Sequence, residues 1–239
     1  MRFRFAFVVV ALLIASAQGR TAADSVTTGV GAGQFVQWTS GDSGSASVST
    51  TYQSQRSASG NMVLAFSHWD NQTLTAQVSD NLGNKYVSIG EPINSGPTAR
   101  FQLWYARNIK GGVPLAVTVT YSGRTTSFSL IDVAEYSGLD RSAPLDAFAS
   151  APGTGTLQDS GPARHTTAMN ETVVGFFGYS GYGLPYKAGA GFSARAYDGS
   201  SFLEDRAVTV AGSYRATVTS SRDDSWAAFV VCLKNAIQP

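Results

Sequence analysis

The chain has 239 residues, 17 of them Lys or Arg against 16 Asp or Glu, with 43% hydrophobic residues, two histidines and one cysteine. A lone cysteine excludes an internal disulfide framework, and basic residues scattered singly lack the clustered footprint of a nucleic-acid or anionic-membrane binder. The two histidines, His68 and His165, lie far apart in sequence and form a metal site only if the fold unites them.

Residues 1–17, MRFRFAFVVVALLIASA, carry Arg2 and Arg4, then an apolar run from Phe5 to Ile14, then Ala15-Ser16-Ala17. This layout predicts a secretory signal peptide, and the apolar run is shorter than the ~20 residues of a membrane-spanning helix. No second long apolar stretch follows, so the mature product is expected to be secreted or periplasmic, with no membrane insertion. Losing Arg2 and Arg4 takes the basic count from 17 to 15, for a formal net charge of −1 against 16 acidic residues. Residues 18–33 read as a flexible leader and 34–239 as a single domain, long enough to bury ~70% of the unfolded chain's surface.

Several later runs are apolar on both faces: Met62 to Phe66, Phe128 to Ala134, Val173 to Phe177 and Trp226 to Leu233. Their lengths suit strands covered on both sides. Val117, Val119 and Tyr121 alternate with Thr118, Thr120 and Ser122, and Tyr214, Ala216 and Val218 alternate with Arg215, Thr217 and Thr219, the period of half-buried strands. Turn formers recur between them at Asp80 to Asn84, Gly111-Gly112, Ser122-Gly123, Ser137-Gly138, Asp198-Gly199 and Gly212-Ser213. No stretch offers a long helical stripe. The expected fold is all-β: a single antiparallel β-sandwich of ten or more strands with no substantial helix after the signal peptide. Cys232, inside the last apolar run, reads as a small buried hydrophobe rather than a reactive thiol.

The motifs D80-N-L-G-N-K-Y86, L103-W-Y-A-R107, G111-G-V-P-L-A-V-T-V-T-Y-S-G123, E135-Y-S-G-L-D140, P144-L-D146, L203-E-D-R206 and G212-S-Y-R-A-T217 occur in that order. In them the chain resembles a group of exported bacterial β-sandwich proteins with an Asp-x-x-Gly-Asn-x-Tyr turn, over roughly Asn61 to Leu233. The resemblance implies a jelly-roll or immunoglobulin-like sandwich, sometimes found beside domains that bind or degrade polysaccharide. It brings no catalytic residues with it.

Asp80 and its neighbours make a hairpin turn without further function, and one carboxylate is meagre for calcium, which takes six to eight oxygen ligands; no cofactor is expected. G41-D-S-G44 matches the nucleophile motif of trypsin-like proteases, but both histidines follow Ser43, the wrong chain order. Glu135, Asp140, Glu204 and Asp205 are the carboxylates available to a glycosidase-type pair, which needs its two groups ~5 to 10 Å apart across one cleft. The competing reading has Asp140 capping a turn and Glu135 paired with an arginine such as Arg107.

Trp69, beside His68, Asp70 and Asn71, has the mix of flat ring and hydrogen-bond groups used to hold sugars. G178-Y-S-G-Y-G-L-P-Y186 offers Tyr179, Tyr182 and Tyr186, large rings with few torsions to freeze. The expected ligand contacts are therefore Tyr179, Tyr182, Tyr186, Trp69 and His68. The reading favoured is a non-catalytic exported β-sandwich that binds carbohydrate, a polysaccharide or cell-surface glycan, or another cell-surface ligand. The alternatives are a structural or adhesive surface protein and a polysaccharide hydrolase or lyase using paired carboxylates.

Overall fold

The structure is a computed structural model, which describes residues 31–47, 49–181 and 186–237, with the backbone alone over 49–55. Residues 1–30, where a signal peptide and most of a leader are expected, lie outside the described residues. At the leader's end Gly33 is already docked, its amide donating to Asn235 Oδ1 at 3.0 Å.

Short β-rich runs separated by turn formers give strands throughout, with no helix among the described residues. In chain order they are β1 (Gln34–Ser43), β2 (Ser49–Arg56), β3 (Met62–Asp70), β4 (Ala76–Asp80), β5 (Val87–Ser95), β6 (Ala99–Ala106) and β7 (Pro114–Tyr121). There follow β8 (Ser129–Ser137), β9 (Leu145–Asp159), β10 (Glu171–Tyr179), β11 (Tyr186–Ala188), β12 (Ser193–Tyr197), β13 (Ser201–Val208) and β14 (Thr217–Lys234).

Three antiparallel sheets result. The middle sheet runs β1-β8-β3-β6-β5, a small sheet runs β2-β7-β4, and the third runs β11-β14-β10-β13-β12 with β9 added against β14. The four runs apolar on both faces became β3, β8, β10 and β14, all interior strands, as continuous hydrophobicity demands.

Alternation along β3 shows how the layers stack. Met62, Leu64 and Phe66 face the third sheet, where they meet Val174, Phe176 and Phe229; Val63, Ala65 and Trp69 face the small sheet and meet Leu115, Val117 and Val119. Phe66 lies 5.6 Å from Phe176 and 5.7 Å from Phe229, ring centre to ring centre, so aromatic packing adds to area burial. The sheets come together where Gly178 faces them, since a Cβ there would meet Phe66 and Phe101 at 2.7 Å. The outer face of the third sheet carries a further apolar cluster, in which Val173, Phe177, Val230 and Cys232 meet Ala163, Ala216 and Tyr214 from the flanking segments. Cys232 is fully buried, and burial pushes its thiol up to about 12, leaving it protonated and inert near neutrality.

One expected strand is shorter than its pattern. Tyr214 to Val218 alternate inward and outward, yet β14 begins at Thr217. Tyr214 and Ala216 instead accept single backbone bonds from Ala163 and Ser160, a loose continuation of the β9–β14 pairing.

Candidate functional site

At one end of the layers, three loops converge. The β4–β5 turn is built by Asp80: its Oδ1 accepts from the Leu82 amide at 2.9 Å and the Asn84 amide at 3.1 Å, and its Oδ2 from Asn84 Nδ2 at 2.8 Å and the Tyr86 hydroxyl at 3.1 Å. Four donors thus occupy the one carboxylate. Asn84 extends the clamp to the β6–β7 loop, accepting from the Lys110 amide at 2.8 Å. The Asp-x-x-Gly-Asn-x-Tyr turn therefore fastens two loops rather than one. Asp80→Ala should cost about 1–3 kcal/mol of stability by urea unfolding and free both loops, an expectation that a change within 0.5 kcal/mol would contradict.

The third loop, after β8, is fixed by Asp140. Its Oδ1 accepts from the Ser142 amide and hydroxyl at 2.7 and 2.8 Å and from the Ala143 amide at 3.0 Å, and these bonds hold the carboxyl below its usual range. Between Asp140 and Ser142 sits Arg141, whose guanidinium lies over Gly60; a Cβ at that position, where φ is +87°, would come within 2.6 Å of it. Glu135 anchors the Gly60 segment from beneath, accepting from the Ala58 amide at 3.0 Å and Asn61 Nδ2 at 2.6 Å.

The product is an open groove of about 590 Å³ lined by Lys85, Arg107, Lys110 and Arg141, with Asn84, Asn108 and Ser142 as neutral hydrogen-bond groups and Val87 and Tyr105 as apolar surface. No Asp or Glu lines it. Among the described residues the ion pairs are Arg195–Asp205, Arg215–Asp159 and Lys234–Asp146, so none of the four cations is neutralised by one. Arg141 also borders a second cavity of about 640 Å³ with Gly60, Asn61, Ser137 and Asp140, which makes the two neighbours along one surface. Unneutralised cations in a concave surface focus a positive potential, and Arg forks match carboxylate geometry. Sequence reading missed this cluster because its members come from three separate loops. The visible signal was the loop-fastening turn.

The expected contact residues lie elsewhere. Trp69 is fully buried between the middle and small sheets, its ring 5.5 Å from that of Tyr121, so it presents no face to a ligand. Tyr179 is likewise fully buried, its hydroxyl donating to the Gly199 carbonyl. Tyr186 is half-buried in an aromatic cluster, 5.1 Å from Tyr179, 5.5 Å from Tyr197 and 5.4 Å from Phe202. Trp69 and Tyr179 are packing rings, which corrects the expectation that they are displayed, while Tyr186, on the edge strand β11, keeps part of its surface open. Tyr182 lies outside the described residues. His68 is buried, stacked on Phe101 at 4.3 Å, and burial, opposed by Asp70, lowers its pKa to about 4, so it is neutral near pH 7. It borders a cavity of about 330 Å³ with Asp70, Phe128, Ser180 and Ser200. His165 stands in the segment over the opposite face of the third sheet, so the fold does not unite the histidines.

The four carboxylates do not share a cleft. Glu135 accepts from Gln37 and Asn61 rather than pairing with Arg107, and Asp140 Oδ1 accepts three bonds within its own turn. Glu204 and Asp205 point to opposite faces of β13: Glu204 Oε2 accepts from the Gly189 amide at 2.8 Å, while Asp205 Oδ2 accepts from the Tyr136 hydroxyl at 3.0 Å in the core below. Comparison with protein-family models, curated proteins and solved structures returned no match.

Proposed function

We propose that this protein is a non-catalytic, exported β-sandwich that binds an acidic polysaccharide, with its sugar carboxylates held in the groove of Lys85, Arg107, Lys110 and Arg141. The observation that carries this reading is the convergence of four unneutralised cations on one open groove. The groove's volume falls in the range of small-ligand sites, and the neighbouring cavity past Arg141 gives a chain room to continue. Asn84, Asn108 and Ser142 suit sugar hydroxyls, and the half-buried Tyr105 offers a ring edge or face beside them. Export by the N-terminal signal would bring the protein to such polymers.

Charge-assisted hydrogen bonds contribute ~1.5–3 kcal/mol each, so removing two arginine forks should weaken binding about 100-fold or more. The test is affinity for an oligouronate, in wild type and in Arg107→Ala/Arg141→Ala, with a neutral β-glucan and single-stranded DNA as comparison ligands. Salt-sensitive oligouronate binding that the double variant loses supports the proposal. Binding the variant retains, or preference for the glucan or the DNA, overturns it.

A further inference from the structure

On the outer face of the third sheet, β9, β14 and β10 bring three reactive side chains together. Lys234 is the direct ladder partner of Glu171. Asp146 stands beside them where the β9–β14 register slips between Ala147 and Leu145. Lys234 Nζ lies 4.0 Å from Asp146 Oδ1, with the lysine side chain 29% exposed and the aspartate 4%.

Both Asp146 oxygens are held by donors. The Thr167 hydroxyl reaches Oδ1 at 2.6 Å, and the Thr167 and Ala168 amides reach Oδ2 at 2.6 and 3.0 Å. Glu171 is fully buried beside this carboxylate, and neither of its oxygens makes a hydrogen bond of full geometry. A plain ion pair accounts for Lys234 and Asp146 but leaves a second buried carboxyl unexplained, an arrangement costly unless that group carries a proton.

We propose that Lys234 and Asp146 condense after folding into an intramolecular amide, with Glu171 as the proton carrier. The Nζ lone pair attacks Asp146 Cγ, and the oxygen that becomes negative stays bonded to the Thr167 and Ala168 amides, donors already in place for it. The lone pair is freed when one ammonium proton passes to Asp146 Oδ1; after the attack Glu171 gives its own proton to that hydroxyl, which departs, and takes one back from nitrogen. The C–O bond breaks and water leaves. Overall an ammonium and a carboxylate become an amide and one water, with no oxidant, reductant or net proton required.

The proton distribution sets the pace. Burial pushes Glu171 up to about 7; at Asp146 burial acts in the same direction, but the bonds from Thr167 and Ala168 outweigh it and draw the carboxyl down to about 2. The reactive form, with an ammonium proton moved onto Asp146 while Glu171 keeps its own, is therefore strongly disfavoured. Only the folded chain holds the groups in contact, where effective molarities of ~10⁵–10⁸ M speed the attack, so the linkage forms slowly and only there.

The test is the intact mass of the folded exported protein, measured fresh and after days at room temperature, followed by tandem mass spectrometry of its peptides. The expected result is a mass lower by one water and a branched peptide joining Asp146 to Lys234. Lys234→Arg, which keeps the charge without a nucleophilic amine, and Glu171→Gln, which keeps the shape without the titrating proton, should both show the full mass while folded by circular dichroism. Full mass in wild type at every time, or water loss mapped to another pair, overturns the linkage. Linkage that persists in Glu171→Gln overturns the role of Glu171.

Discussion

Replacing Trp69 with alanine should lower folding stability by about 3–5 kcal/mol and leave glycan affinity of the folded protein unchanged. Trp69 is among the largest fully buried side chains, set among Val63, Trp104, Val119 and Tyr121. Deleting its ring removes dispersion contacts and opens a cavity that two rigid sheets cannot close. For a domain of this size, the melting temperature should fall by about 10 °C. Denaturant unfolding and a binding isotherm on the same sample separate the two effects. A stable Trp69→Ala variant that had lost binding would return this ring to the role its sequence context suggested.

Stability should also fall as pH rises from 4.5 to 8, and Glu204→Gln should remove a large part of that fall. Glu204 is fully buried on β13, and burial, opposed by bonds from the Gly189 and Thr217 backbone and by Arg206, pushes its carboxyl up to about 7. The folded state therefore holds the proton more tightly than the unfolded chain. Its contribution is whole below 4.5 and is lost as pH climbs through 7, up to about 3 kcal/mol. Asp132 acts in the same direction: burial first, then Asp198 facing it, raises it well above its ordinary value. Asp140, drawn down by its backbone bonds, acts oppositely and weakens the protein only in stronger acid. Melting temperature against pH should thus peak on the mildly acidic side. A flat profile between pH 5 and 8 in wild type, or an unchanged slope in Glu204→Gln, would contradict the protonated interior.

What the sequence disclosed follows from which forces act locally. The period-two run Val117, Val119, Tyr121 lies in β7 with those residues buried and Thr118 and Thr120 turned outward, because pleating alone dictates that alternation. Met62 to Phe66 declared a strand covered twice, and β3 is one. Asp80, Gly83 and Asn84 declared a turn through backbone chemistry confined to a few residues. None of this says which loops meet. Lys85, Arg107 and Arg141 are ordinary scattered cations until β5, β6 and the β8–β9 connection bring their ends to one side. The aromatic readings failed for a related reason. An aromatic at a strand end looks the same in sequence whether its face is open or roofed, and the roofs over Trp69 and Tyr179 come from the small sheet and from the cover on the third sheet.

The proposed glycan site can be tested directly by titrating the isotopically labelled protein with an oligouronate and following backbone amide shifts. The groove predicts saturable shifts gathered at Asn84, Lys85, Arg107, Asn108, Lys110 and Arg141, weakening as salt is added. Shifts gathered instead around Tyr186, Tyr197 and His68, or no shifts at low salt, would contradict it.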